Sequence, residues 1–456
     1  MAARSSLALI LIVLPVIAAA QEPMVVDIPN IMRGPETVGR EPGQVRWTPD
    51  SRWIHFSWLP PGTDWRESAR PYRIRAVAGA TPEALSDSFA DSIAPMLASG
   101  VESRDMRRRY VSSGGDLWVI ELPTGTFRRL TRTTASEQVS GLSLDESRLY
   151  FQQGGNAYAL TLASGAVEQL TDVRTGTAPD SARRTAPQRS ALERDQRDLF
   201  GAIRDDMRAD SIRKARSQRR DSLDIPVAWL GRDWRLQSLS LSPSGRHAVV
   251  IASHAASPEP KRTVVPNYVT ASGFTEEIPS RTKVGDAQGK QRLGLLTVST
   301  GRIEWVRPVP DDSSESYGSL MVRGWNDAGS AALLRAETRD YNRRVIVRLD
   351  TDSARVTTID LLSDTAWVGG PCGFCLGWLP GDDGIWFSSE ATGHAHLYRT
   401  DPMGRDRRAL TAGNWEVLSA SLSPDRKRFH LTTSEGSPFE QHFWTMGLDG
   451  SRRERL

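Results

Sequence analysis

One pattern of strand, bend and strand recurs along this 456-residue chain and narrows the folds open to it. The clearest copies run from Asp116 to Thr131, Asn156 to Thr171, His396 to Thr411 and His442 to Leu456. Each is an alternating segment, a turn holding Gly or Asp, a second alternating segment and, in most, a closing Leu-Thr. Weaker copies run from Tyr72 to Leu85, Leu293 to Val306 and Val345 to Ile359. Period-two alternation is what a sheet with two distinct faces requires, and Gly and Asp at the bend allow the chain to reverse.

A second element precedes many of these hairpins. It spans Trp47 to Phe56, Leu142 to Phe151, Leu241 to Val250 and Leu422 to Leu431, with looser versions at Trp325 to Leu334 and Leu379 to Phe387. Each again reads strand, tight turn, strand, so two hairpins per repeat give four strands. Leu130 and Leu170 are 40 residues apart, Pro380 and Pro424 are 44 apart, and Leu410 and Leu456 are 46 apart. Four-stranded propeller blades repeat every ~40–45 residues, and radial stacking leaves only short sheet edges. The expectation is an all-β propeller of about seven to eight four-stranded blades; an array of β-sandwiches is the competing arrangement. A repetitive fold also suits the length, because single cores stop growing near about 250–300 residues.

Residues 175–224 break the rhythm. They are rich in Arg, Asp, Ser and Ala, and Leu192, Leu199, Ile203 and Met207 are spaced for one face of a helix. A charged helical insertion is predicted, either solvated or used as a docking surface. At the N-terminus Arg4 precedes an apolar run from Leu7 to Ile17, and Ala18, Ala19 and Ala20 then lead to Gln21. This reads as a signal peptide over residues 1–20, with the propeller over 21–456. The run is too short to span a bilayer, so no membrane insertion is expected after cleavage and the predicted location is periplasmic or secreted.

With 58 basic and 55 acidic residues and a net charge of +3, nothing points to nucleic acid as a partner. Cys372 and Cys375 form the single C-x-x-C. In an oxidising compartment they can close a disulfide or simply be small buried side chains; redox chemistry is a further reading, and metal binding would need ligands that the pair lacks. No metal site and no cofactor are predicted. A G-x-S-x-G turn, which holds the nucleophile of an α/β-hydrolase, occurs nowhere, and the histidines all fall within blade patterns. No catalytic residue is assigned.

The stretch from Trp386 to Val417 resembles the N-terminal propeller of the dipeptidyl peptidase IV-like members of the prolyl oligopeptidase family of serine peptidases. The family pattern of Ser-Glu, Gly, His-Leu-Tyr, Asp, Gly, Leu-Thr, Gly, Trp and Val falls here on Ser389, Glu390, Gly393, His396, Leu397, Tyr398, Asp401, Gly404, Leu410, Thr411, Gly413, Trp415 and Val417. Thr432 to Trp444 is similar to the following blade, and Ser280 to Gly301 resembles another family segment. The resemblance implies structural roles for Glu390, Gly393, His396, Tyr398, Gly404 and Trp415. It also implies a secreted exopeptidase that releases short peptides, in which the propeller gates substrate to a C-terminal α/β-hydrolase absent from this chain. Peptides, that hydrolase domain and a second copy in a homodimer are the partners implied.

Dipeptidyl peptidases of the family hold the substrate amine with paired acids. The paired glutamates here are Glu276-Glu277, outside the family's aromatic context; Asp233-Trp234 has that context and no acids after it. Glu276 and Glu277 are candidate amine ligands or plain surface charge. Two other functions stand beside the peptidase reading: a free-standing periplasmic propeller that binds proteins or peptides, and a sugar-processing propeller enzyme.

Overall fold

The computed structural model describes residues 27–32, 40–64, 66–178, 208–213, 224–283, 285–309 and 317–456. The segment expected to be a signal peptide, and Leu192, Leu199, Ile203 and Met207 of the insertion, lie outside them. Residues 208–213 of the insertion are helical. No described helix is long and apolar enough to cross a membrane.

The chain divides into two compact units, one ending at Leu97 and one beginning at Ala98. The first unit contains a four-stranded antiparallel sheet of Gly43–Trp47, Trp53–Trp58, Arg70–Arg75 and Glu83–Ala84, followed by a helix over Asp87–Leu97. Arg73 lies over the Trp53 ring at 4.1 Å, and its guanidinium also pairs with Glu83 at 3.0 Å.

The second unit contains six further four-stranded sheets in chain order. Their first strands are Gly100–Glu102, Gln138–Leu142, Trp234–Leu241, Tyr317–Trp325, Leu376–Trp378 and Val417–Leu422, and each sheet runs strand by strand to an outer fourth strand. We number the seven sheets one to seven along the chain. Their third and fourth strands coincide with the seven hairpins read from the sequence. The fold is an all-β propeller.

The core explains why some strands alternate and others read as continuous apolar runs. Buried residues cluster between consecutive sheets. Val249 and Ile251 of the fourth sheet meet Ala332 and Leu334 of the fifth, while Ala248, Val250 and Ala252 on the opposite face meet Tyr150 and Ala159 of the third. Ala331 and Leu333 of the fifth sheet meet Phe387 and Tyr398 of the sixth. Trp386 and Leu397 then meet Phe429 and Leu431 of the seventh. A sheet covered on both faces must be apolar at odd and even positions alike, hence Ala248-Val249-Val250-Ile251-Ala252. Fully burying one such side chain contributes about 1.5–3 kcal/mol.

Two polar devices recur among the blades. At the turn between first and second strands a hydroxyl donates to an Asp two residues on, at 2.6 Å in each of Thr48–Asp50, Ser103–Asp105, Ser143–Asp145 and Ser423–Asp425. The same carboxylate oxygen accepts a backbone N–H two residues later. The residue after each Asp, namely Ser51, Met106, Glu146 or Arg426, is left-handed, with φ between 56° and 57°. Behind the fourth strand, the Thr of Leu-Thr accepts a buried third-strand N–H: Leu117 to Thr131, Ala157 to Thr171 and Leu397 to Thr411, at 2.9 to 3.0 Å. An unpaired buried amide would cost roughly 1–3 kcal/mol, which gives the recurring Thr its physical reason.

Two insertions leave the blade plan. A two-stranded ribbon, Arg262–Asn267 with Glu276–Thr282, grows out between the second and third strands of the fourth sheet. Asp172–Arg174 pairs in parallel with Val227–Trp229, so the charged insertion leaves and rejoins the fold at adjacent strands.

Candidate functional site: a cavity ringed by first strands

First strands of four successive sheets, the second to the fifth, converge on one cavity of about 450 Å³. Glu102, Gly141, Leu241 and Trp325 supply one wall position from each sheet. The third to sixth sheets bury both faces against their neighbours, which leaves the first-strand edge to point inward. Trp325 donates its indole N–H to Ser240 Oγ at 2.9 Å, a bond that joins the fifth sheet to the fourth across the wall.

Three carboxylates line the cavity. Glu102 is held by Arg109 at 2.7 Å, and Asp327 by Arg426 of the seventh sheet at 2.7 Å. Glu146 accepts the Arg104 backbone N–H at 2.8 Å. Asp327 also accepts the Gly381 N–H at 2.7 Å, while Asp382 accepts from Asp327 N and Asn326 Nδ2 at 2.6 and 3.0 Å, so the fifth and sixth sheets lock at this end.

Arg323 projects from the fifth sheet's first strand into the same wall. Its Nη2 donates to the Phe374 carbonyl at 3.0 Å, and Arg335 lies 4.4 Å over the Phe374 ring. Arg335 itself pairs with Glu337. Burial, and then the neighbouring Arg335 charge, pull the Arg323 pKa below its ordinary value. Phe374 belongs to the Cys372–Cys375 loop, whose two sulfurs are joined in a disulfide. Cys372 is buried against the sixth and seventh sheets while Phe374 stays 54% exposed.

The other candidate residues fall elsewhere. Glu276 and Glu277 are exposed on the ribbon, opposite Asn267 and Pro266, and do not line the cavity. His396 is buried, its Nδ1 beside Thr411 Oγ1 at 3.1 Å and its Nε2 beside the Gly413 carbonyl at 2.9 Å. Asp116 and Asn156 occupy the same place in their blades, each accepting a backbone N–H at 2.9 and 2.8 Å. Trp415 meets the His396 ring edge-on at 4.9 Å and lies under Arg453. Tyr398 stacks on Phe387 with Arg407 4.3 Å above it. Gly393 and Gly404 are both left-handed, and a Cβ on Gly404 would come within 3.0 Å of Ile359 Cα in the fifth sheet. Glu390 sits against Gly370; burial raises its pKa, and Glu416 adds to that while Arg344 opposes it. Among the described residues no group of His, Cys, Asp and Glu is placed to hold a metal ion.

A second depression of about 630 Å³ lies between the outer strands of the fourth and fifth sheets, lined by Val306, Arg307 and the segment from Ala354 to Thr358. It is a seam at the blade rims, and no carboxylate lines it.

Residues 264–456 match the sequence model of the dipeptidyl peptidase IV (DPP IV) N-terminal region. Over that span, less than half of the chain, the sequence is similar to that N-terminal region. The matched span takes in most of the ribbon, the second half of the fourth sheet and the fifth to seventh sheets. Over 223 residues the chain is 26% identical to an Aspergillus flavus protein named "Probable dipeptidyl peptidase 4", which covers 46% of this chain and 28% of that one. The crystal structure of Porphyromonas gingivalis dipeptidyl peptidase 4 superposes with a TM-score of 0.50 at 15% identity, covering 95% of this chain and 55% of that one. At that identity the likeness concerns the fold alone. The chain spans little more than half the length of the bacterial relative and less than a third of the fungal one.

Proposed function

We propose that this chain is the substrate-gating propeller of a secreted serine exopeptidase that releases short peptides, working with an α/β-hydrolase that supplies the nucleophile. The observation that carries the reading is the cavity formed by first strands of successive sheets, in a chain whose fifth to seventh sheets match this family. A cavity of about 450 Å³ falls within the usual range for a small-ligand pocket, and its polar wall suits an extended peptide. The signal-like N-terminus supports export. A second copy of the chain is a further partner in this reading.

The chain's own residues supply no nucleophile in the required setting, so the propeller's part is admission and orientation. Reading the genomic DNA for about 300 codons past Leu456, the room a hydrolase domain needs, tests the proposal. An in-frame G-x-S-x-G followed by Asp and His supports it. A verified stop codon contradicts it and leaves a free-standing propeller that binds proteins or peptides.

A further inference from the structure

The charge balance of the cavity points to what it recognises. Of its three carboxylates, two are tied into ion pairs and the third is occupied by a backbone N–H. Arg323 is in a different state. A guanidinium carries five N–H donors, and Arg323 uses one on the Phe374 carbonyl, with a long contact of 3.7 Å from Nη1 to the Met321 sulfur. Among the described residues no carboxylate forms an ion pair with it, and the like charge of Arg335 acts on it. The pair of guanidiniums is held at fixed spacing, because both grip Phe374, one at its carbonyl and the other at its ring. Arg335 is committed to Glu337, so the donors left open to the cavity belong to Arg323.

We propose that Arg323 is the receptor for a carboxylate of the peptide in the cavity, either an acidic side chain or a free C-terminus. The inference rests on the peptide-gating reading above and adds to it the class of peptide selected. A planar fork of donors matches a carboxylate in two parallel hydrogen bonds, and a second cation beside it deepens the local positive potential. The Phe374 face and the Trp325 ring offer apolar surface to the neighbouring part of the ligand. The same arrangement disfavours a free amine at this point of the wall, and Glu276 and Glu277, the acids that could have bound one, lie on the ribbon instead.

The test uses the whole chain and three acetylated pentapeptides in titration calorimetry: Ala-Ala-Glu-Ala-Ala amide, its Gln counterpart, and the Gln peptide with a free C-terminal carboxylate. Either carboxylate peptide, or both, should bind at least about tenfold more tightly than the neutral one, as charge-assisted bonds require. Which of the two does so identifies the source of the carboxylate. Arg323→Gln should erase the preference, and Arg323→Lys should restore part of it. Equal binding of all three peptides to the native chain, or a preference that survives Arg323→Gln, overturns the inference and leaves peptide gating standing. Glutarate, titrated alone and read by tryptophan fluorescence, separates the two claims. Arg323-dependent glutarate binding with no binding of any peptide would retain the carboxylate site and contradict the gating role. No binding of any of the four probes overturns both. Should Arg323→Gln not fold, the preference of the native chain still decides.

Discussion

A serine or threonine hydroxyl two residues before an aspartate is the smallest unit of this fold. The bond fixes the carboxylate where it also caps the backbone, and the next residue can then sit left-handed without being glycine. These bonds also set a pH dependence. The Ser143 hydroxyl, and then Ser147, hold the Asp145 carboxyl down at about 2, and Thr48, Ser103 and Ser423 lower Asp50, Asp105 and Asp425 in the same way. A carboxylate with a lowered folded pKa contributes stability that is present above its ordinary value of 3.8 and lost as the pH falls through the folded value. For Asp145 the loss lies between about pH 4 and pH 2. Ser143→Ala should raise the Asp145 titration midpoint toward 3.8 and flatten the fall of melting temperature across that window. Side-chain NMR titration reads the midpoint, and an unmoved value would contradict the assignment. At this scale the sequence was partly readable: the turns at Thr48, Ser143 and Ser423 fall inside the recurring strand-turn-strand segments, whereas Ser103-Arg104-Asp105-Met106 does not. The Ser-x-Asp spacing shared with Ser143 and Ser423 would have found it.

At the scale of the element, the hairpins were legible because their alternation and their Leu-Thr ends have direct causes, a two-faced sheet and a buried amide that needs an acceptor. The C-x-x-C was less so, since its spacing suits several chemistries. Its place is at the entry to the sixth sheet, where Cys372 joins the core and Phe374 reaches Arg323 and Arg335. Closing so short a loop removes little chain entropy, about 2 kcal/mol. Reduction, or Cys372→Ala with Cys375→Ala, should therefore lower the unfolding free energy by about that amount. Denaturant titration with and without dithiothreitol measures it; an undiminished midpoint would show that the disulfide adds nothing to the folded state. A break in the repeat over residues 175–224 was visible from composition, whereas the parallel pair on either side of it was not, because Asp172–Arg174 and Val227–Trp229 are too short to carry a period.

At the scale of the molecule, the blade count followed from spacing, but the cavity did not. Its wall draws short runs of residues from strands far apart in the chain, from Val101 to Asp327, and no local pattern marks which of them face inward. Arg323 is a case in point: in Met321-Val322-Arg323-Gly324-Trp325 it reads as one more arginine among many. Glu276 and Glu277 drew attention as a pair because adjacency is visible in a sequence, and the fold places that pair on an exposed ribbon. Entry of peptides into this cavity can be tested directly at Gly141. It lies in the cavity wall, its φ is not left-handed, and no atom lies within 4 Å of where a Cβ would stand. Gly141→Trp should thus fill the cavity without straining the blade. Titration calorimetry of an acetylated acidic pentapeptide against the native chain and this variant, with melting curves alongside, is the decisive measurement. An affinity reduced at least about tenfold at an unchanged melting temperature is the predicted result, and equal affinity in a folded variant would contradict the claim.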